Sequence, residues 1–98
     1  MEDKIYYCNL YDCYEGLLTE KQSKYFKDYY LEDFSLGEIS ENYEISRNAA
    51  FHQIKETKKK LENFERVLKI YEKKEKIKIV IENIDENIKK QIEEILEG

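Results

Sequence analysis

A chain of 98 residues holds one domain, with room for a helical extension but not for a second independent core. Proline is absent, glycine occurs three times, and charged residues make up 40% of the chain, a composition that favours long helices over all-β folds and over disorder. The formal net charge of −5 opposes general affinity for nucleic acid, and no apolar run approaches the roughly 18 residues of a membrane span. The N-terminus lacks a basic-then-apolar leader pattern, so the expected location is cytoplasmic and no membrane insertion is expected. Cys8 and Cys13 lie five apart on one expected helix, poor geometry for a mutual disulfide, and read as half-buried thiols of a reducing compartment.

Taken in chain order, Tyr7, Leu10, Tyr11, Tyr14, Leu17 and Leu18 recur at spacings of three and four, predicting an amphipathic helix over 4–15 that Gly16 ends. Thr19 to Gln22 is a capping box that opens a second helix to about Leu31, with Tyr25, Phe26, Tyr29 and Tyr30 on its apolar side. These tyrosines read as packing residues rather than as a base-stacking platform. Ser35 to Glu38 is a second capping box and starts a short helix over 36–42 that buries Leu36 and Ile39. Tyr43, Glu44 and Ile45 make a tight connection, and Ser46 caps a fourth helix.

The fourth helix shows no stop before Glu72, which predicts about 26 residues, or about 39 Å at 1.5 Å per residue. Residues 76–82 alternate in the manner of a strand, but the helical period runs through them, so helix is preferred. A break is expected near 76–85, where Asn83 or Asp85 is positioned to cap a final helix. Ile77, Ile81, Ile84, Ile88, Ile92, Ile95 and Leu96 form one stripe. That stripe predicts either a homodimer through the C-terminal helices or a fold-back onto the first helix, and the dimer is preferred.

Function concentrates in residues 35–61. Two short helices joined by a tight turn, the second beginning Ser-Arg-Asn, form a helix-turn-helix pattern. Ile39, Ile45, Ala50 and Ile54 are expected inward, leaving Arg47, Asn48, Phe51, His52 and Lys55 on the outer face of the second helix. Arg47 and Asn48 have the donor and acceptor chemistry for guanine and adenine edges, and Ser46 with the exposed N–H groups at the helix start suits a phosphate. Lys58, Lys59 and Lys60 read as a phosphate rail or as a solvated face, with Lys58 and Lys59 the candidate phosphate contacts. Charge distribution supports this placement. Residues 1–45 balance to −7 and residues 61–98 to −2, whereas residues 46–60 balance to +4.

Several segments together resemble a known family: Leu18-Thr-Glu-Lys-Gln-Ser-Lys24, Tyr29-Tyr-Leu-Glu-Asp-Phe-Ser-Leu-Gly-Glu-Ile39 and Ile45-Ser-Arg-Asn-Ala-Ala50 look like region four of bacterial sigma factors. With Asn9-Leu-Tyr-Asp-Cys-Tyr14 and Ile54-Lys-Glu-Thr57 added, the similarity is to the YlxM family, small sigma-region-four-like proteins encoded beside signal recognition particle genes. The resemblance spans about residues 7–72. It implies a DNA-binding regulator linked to the signal recognition particle pathway, a link that rests on genomic company. Two departures stand out. Glu44 occupies a turn position where glycine is common, at a cost on the order of 1 kcal/mol, so a distorted or longer turn is expected. Phe51 and His52 stand where sigma-like readers carry more basic residues, and Phe51 suits either a thymine methyl or the centre of a protein-binding patch.

The fold class read from these features is all-α: a helix-turn-helix head over 4–61 and a C-terminal helical extension over 62–98 expected to oligomerise. The expected function is a helix-turn-helix regulator of double-stranded DNA. The alternative is an accessory factor that docks the signal recognition particle GTPase or its RNA on the same face. One histidine and two distant cysteines do not make a tetrahedral metal set, no cofactor is implied, and the absence of P-loop, GxGxxG, GxSxG and HExxH motifs points away from an enzyme.

Overall fold

The computed structural model describes residues 3–97, and the described chain is helical from end to end. Helix α1 (Lys4–Tyr14) starts at Asp3, whose carboxylate accepts from the Tyr6 N–H. A single 3-10 turn (Glu15–Leu17) follows. Gly16 lies within this turn without a left-handed φ, so the helix ends by tightening rather than by a glycine cap, and Leu17 stays exposed instead of joining the core. Helix α2 (Glu20–Tyr30) and helix α3 (Leu36–Tyr43) each open with the expected reciprocal capping box, Thr19 with Gln22 and Ser35 with Glu38. Helix α4 (Arg47–Leu68) is capped by Ser46, whose hydroxyl oxygen accepts from the Ala49 N–H at 3.0 Å. Helices α5 (Ile70–Val80) and α6 (Glu86–Glu97) complete the chain.

The helical preference over 76–82 holds for residues 76–80, while residues 81 and 82 already belong to the expected break, which falls at residues 81–85. The uninterrupted 26-residue fourth helix does not form: α4 has 22 residues and stops where Lys69 turns left-handed at φ 55°. The cause is tertiary. The Tyr14 hydroxyl accepts from the Ile70 N–H at 3.0 Å, and the Glu65 carboxylate accepts from the N–H groups of Tyr71 and Glu72 at 3.0 and 3.1 Å. A distant tyrosine and a carboxylate from the preceding helix thus supply the caps that Lys69 lacks.

The core is built on α4, against which α1, α2 and α3 all pack. Leu10, Tyr14, Phe26, Ile39, Thr57 and Leu61 are its largest fully buried side chains. Tyr11 stacks on Phe26 and Phe26 on Tyr30, with ring centroids 5.1 and 4.5 Å apart, so the tyrosine-rich helix does serve packing. Buried Thr57 places its hydroxyl on the Gln53 carbonyl one turn back at 2.8 Å, which satisfies the group without a partner from another helix. Residues 61 and 62, where the expected head meets the expected extension, lie inside unbroken α4. Helix α5 folds back onto α1: Tyr71 packs edge-on against Tyr6, and its hydroxyl accepts from the Asn9 amide at 3.3 Å. Ile81 is buried within the chain at 4% exposure, while α6 touches the remainder only sparsely.

Candidate functional site

The turn between α3 and α4 comprises Glu44, Ile45 and Ser46. It is neither distorted nor lengthened, because Glu44 itself takes the left-handed conformation, φ 54° and ψ 45°. The Ile45 N–H donates to the Ser40 carbonyl at 3.0 Å, and the Ser40 hydroxyl returns a bond to the Ile45 carbonyl. Ile39, Ala50 and Ile54 lie in the core and Ile45 packs half-buried at its edge. These inward residues set the rotation of α4, and the rest of its surface follows at roughly 100° per residue.

Asn48, His52, Lys55 and Lys59 fall on one outward stripe, and all four are exposed. Arg47 and Phe51 lie on the flank nearer α2 and α3, also exposed. Ser46 is spent partly as the cap, since its oxygen accepts from Ala49, but its proton and the first-turn N–H groups of Arg47 and Asn48 remain available to an anion. The Arg47 guanidinium lies against Gly37 of α3: an ideal Cβ built on that glycine would stand 2.9 Å from Nη2. Phe51 is 53% exposed and, with Tyr29, Tyr30, Leu36, Ile54, Lys55 and Lys58, lines a groove of about 260 Å³ between α2, α3 and α4.

The three lysines diverge. Lys59 is exposed and pairs with Glu56 at 3.6 Å within its own helix, a contact of little energetic weight at such exposure. Lys60 reaches Gln22 at 3.4 Å on the opposite side. The Lys58 ammonium sits 4.5 Å from the centre of the Tyr7 ring, turned towards α1 and away from the outward stripe. The structure therefore groups Asn48, His52, Lys55 and Lys59 and sets Arg47, Phe51 and Lys58 on the flank beside them, with the Lys58 ammonium leaning towards α1. Cys8 and Cys13 are free and half-buried, and burial pushes both thiols up from their ordinary range. Among the described residues no trio of His, Cys, Asp and Glu is arranged to hold a metal ion, and no helix is long and apolar enough to cross a membrane.

A three-residue turn between a short helix and a capped helix, with polar and basic side chains outward, is the geometry of a helix-turn-helix. Residues 1–97 match the model of the UPF0122 family, described as "Putative helix-turn-helix protein, YlxM / p13 like". The chain belongs to this family. Among UPF0122 relatives, a protein of Halalkalibacterium halodurans is 46% identical over 92 residues, covering 93% of this chain and 84% of its own. A protein of Listeria monocytogenes is 41% identical over 96 residues, covering 88% and 87%. One from Geobacillus kaustophilus is 44% identical over 82 residues, covering 84% and 74%. The UPF0122 match runs through α5 and α6, past residue 72 where the YlxM resemblance read from the sequence ended.

Sequence reasoning missed Gly37. Its signal was faint but present: a glycine in the first turn of a helix is a costly choice unless something needs the space.

Proposed function

We propose that the protein binds double-stranded DNA as a regulator, with α4 in the major groove. Arg47 and Asn48 face base edges, Phe51 and His52 contact the groove wall, and Ser46, Lys55 and Lys59 meet phosphates. The observation that carries this reading is a coincidence of charge and shape. Residues 46–60, with a positive balance in an acidic chain, form the second helix of the motif and turn Arg47, Asn48, Lys55 and Lys59 outward, whereas the other basic stretch, residues 66–78, lies outside the motif. In this reading the protein acts in the cytoplasm by binding, without catalysis or a cofactor. A homodimer through the C-terminal helices presents two such heads to a two-part site.

Selection from a randomised duplex library, followed by titration at several salt concentrations, tests the reading. With Arg47, Lys55 and Lys59 as the outward cations, log K is expected to fall against log salt with a slope of about −3 per head. Arg47→Ala should cost about 1–3 kcal/mol on the best site and relax base preference, whereas Lys59→Ala should weaken all sequences alike. Equal small losses for both variants on every probe remove the base-reading assignment.

Exposed Phe51 over its apolar groove favours a second reading, in which the same face docks a macromolecule of the signal recognition particle, its GTPase or its RNA. Under this reading Phe51→Ala reduces co-migration with the particle more than Lys59→Ala does. No association at micromolar protein in low salt removes it.

A further inference from the structure

Gly37 stands at the second position of α3, inside a turn locked by its capping box: the Ser35 hydroxyl oxygen accepts from the Glu38 N–H at 3.0 Å, and the Glu38 carboxylate accepts from the Ser35 N–H at 3.1 Å. This turn needs no left-handed backbone, since no described glycine has a positive φ, so conformation does not explain the glycine. Space does. An ideal Cβ there would lie 2.9 Å from Nη2 of Arg47 and 3.3 Å from both Cζ and Nε. Three guanidinium atoms so close to one point mean that the planar group lies across the place where a side chain would stand. Among the described residues none bonds to or pairs with the Arg47 guanidinium, so its donors remain for a ligand.

We propose that Gly37 is a positioning residue for base recognition: its missing side chain lets the rigid α3 turn serve as a flat platform on which the Arg47 guanidinium is held ready. The proposal deepens the DNA-binding reading and rests on it. Reading a guanine edge takes two parallel hydrogen bonds from a planar fork, and a fork already seated against a rigid turn loses less freedom on binding than one that swings in solvent. The platform belongs to α3 and the reader to α4, so the Arg47 side chain is seated across the two helices of the motif.

The variant Gly37→Ala is informative because the atom it meets is the far end of a flexible side chain, which can move aside while the fold stays intact. Alanine is the better helix former, so the melting temperature should hold or rise by a few degrees. Discrimination between the best duplex from a randomised library and its single-mismatch versions should fall about 5- to 30-fold, as for a lost or loosened bidentate contact. Introduced into Arg47→Ala, the same change should lower discrimination no further, because the two residues act as one unit. In the free protein, ¹⁵N relaxation of the Arg47 Nε–Hε should show an ordered side chain in the wild type and a mobile one in Gly37→Ala.

A wild type that discriminates, with an equally discriminating Gly37→Ala, overturns the positioning role and leaves the DNA-binding reading standing. Additive losses in the double variant overturn it likewise. A wild type that discriminates among no duplexes overturns the DNA-binding reading, and with it base recognition as the purpose of the platform. The relaxation data then separately decide the platform itself, which stands if Arg47 loses order in Gly37→Ala and falls if it does not.

Discussion

At the scale of single residues, the molecule carries its unusual chemistry in backbone strain and in buried phenols. Asp33, Glu44 and Lys69 all take left-handed conformations without being glycine. For Glu44 the chain offsets the cost with the Ser40–Ile45 bonds and with core burial on both sides of the turn. Glu44→Gly should therefore stabilise the protein by about 1 kcal/mol, seen as a rise in melting temperature of about 4–8 °C at fixed protein concentration. An unchanged or lower melting temperature would mean that the Glu44 side chain makes a compensating contribution. Tyr14 gives a second handle. Burial, and then the hydrogen bond its hydroxyl donates to Glu65, push this phenol up to about 12, and the bond to Asp28 followed by burial does the same for Tyr43. Between about pH 10 and about pH 12 the unfolded chain releases these protons while the folded one keeps them. The folded state then binds more protons, so stability is fully present below about pH 10 and falls as pH rises through this window. In urea titrations the advantage of wild type over Tyr14→Phe should be constant up to about pH 9 and shrink above about pH 10. An advantage that stays constant across the window would contradict the assignment.

At the scale of elements, the joint between α4 and α5 depends on one carboxylate. Glu65 accepts from the Tyr14 hydroxyl and from the N–H groups of Tyr71 and Glu72. Glu65→Ala should cost about 2 kcal/mol and act locally: amide exchange should accelerate at Ile70, Tyr71 and Glu72, while Ile39, Ala50 and Ile54 stay protected. Uniform acceleration across the chain would instead place Glu65 in the global folding unit. This joint also marks the limit of what was legible beforehand. Helices α1 to α3 and the start of α4 could be read because their signals are local: an apolar period, and the cap residues Thr19, Ser35 and Ser46. The break between α4 and α5 could not, because the first N–H groups of α5 are capped by Tyr14, 56 residues away from Ile70, and by a glutamate that looks like any other surface charge. The site divides the same way. Which α4 residues face outward follows from the inward Ile39, Ala50 and Ile54, and Arg47, Asn48, Phe51, His52, Lys55 and Lys59 are all exposed. Where a long side chain then leans, Lys58 onto Tyr7 or Arg47 onto Gly37, depends on neighbours that periodicity does not reveal.

At the scale of the whole molecule, the chain extends over 52 × 26 × 24 Å and leaves apolar surface at its C-terminal end. The isoleucine stripe is not one continuous seam, since residues 81–85 break it and Ile81 is buried inside the chain. Fold-back is also real for α5, through Tyr71 and Ile70 against α1. What remains is α6, with Ile88 52% exposed and Ile95 76% exposed on the face that also carries Ile92 and Leu96, and with Ile84 just before it. Helix α6 has 12 residues, a length at which an isolated helix is marginal in water, and it makes only sparse contact with its own chain. Covering those side chains with a second copy supplies on the order of 5–10 kcal/mol of gross driving force, which an entropic cost of about 4 kcal/mol or more reduces to weak association, with Kd of roughly tens of micromolar or looser. Sedimentation equilibrium from roughly ten to several hundred micromolar should therefore show a mass rising from 11.9 kDa towards twice that value. Ile95→Glu in the full chain should hold the mass at the monomer, because it places a charge in the seam while disturbing no buried contact. A wild type that remains monomeric at the highest concentration would mean that α6 is covered by something other than its own copy. A variant that dimerises as well as wild type would move the seam elsewhere on the surface. DNA affinity should follow the same transition: a two-part duplex is expected to bind wild type more tightly than Ile95→Glu, while a single half-site binds both alike.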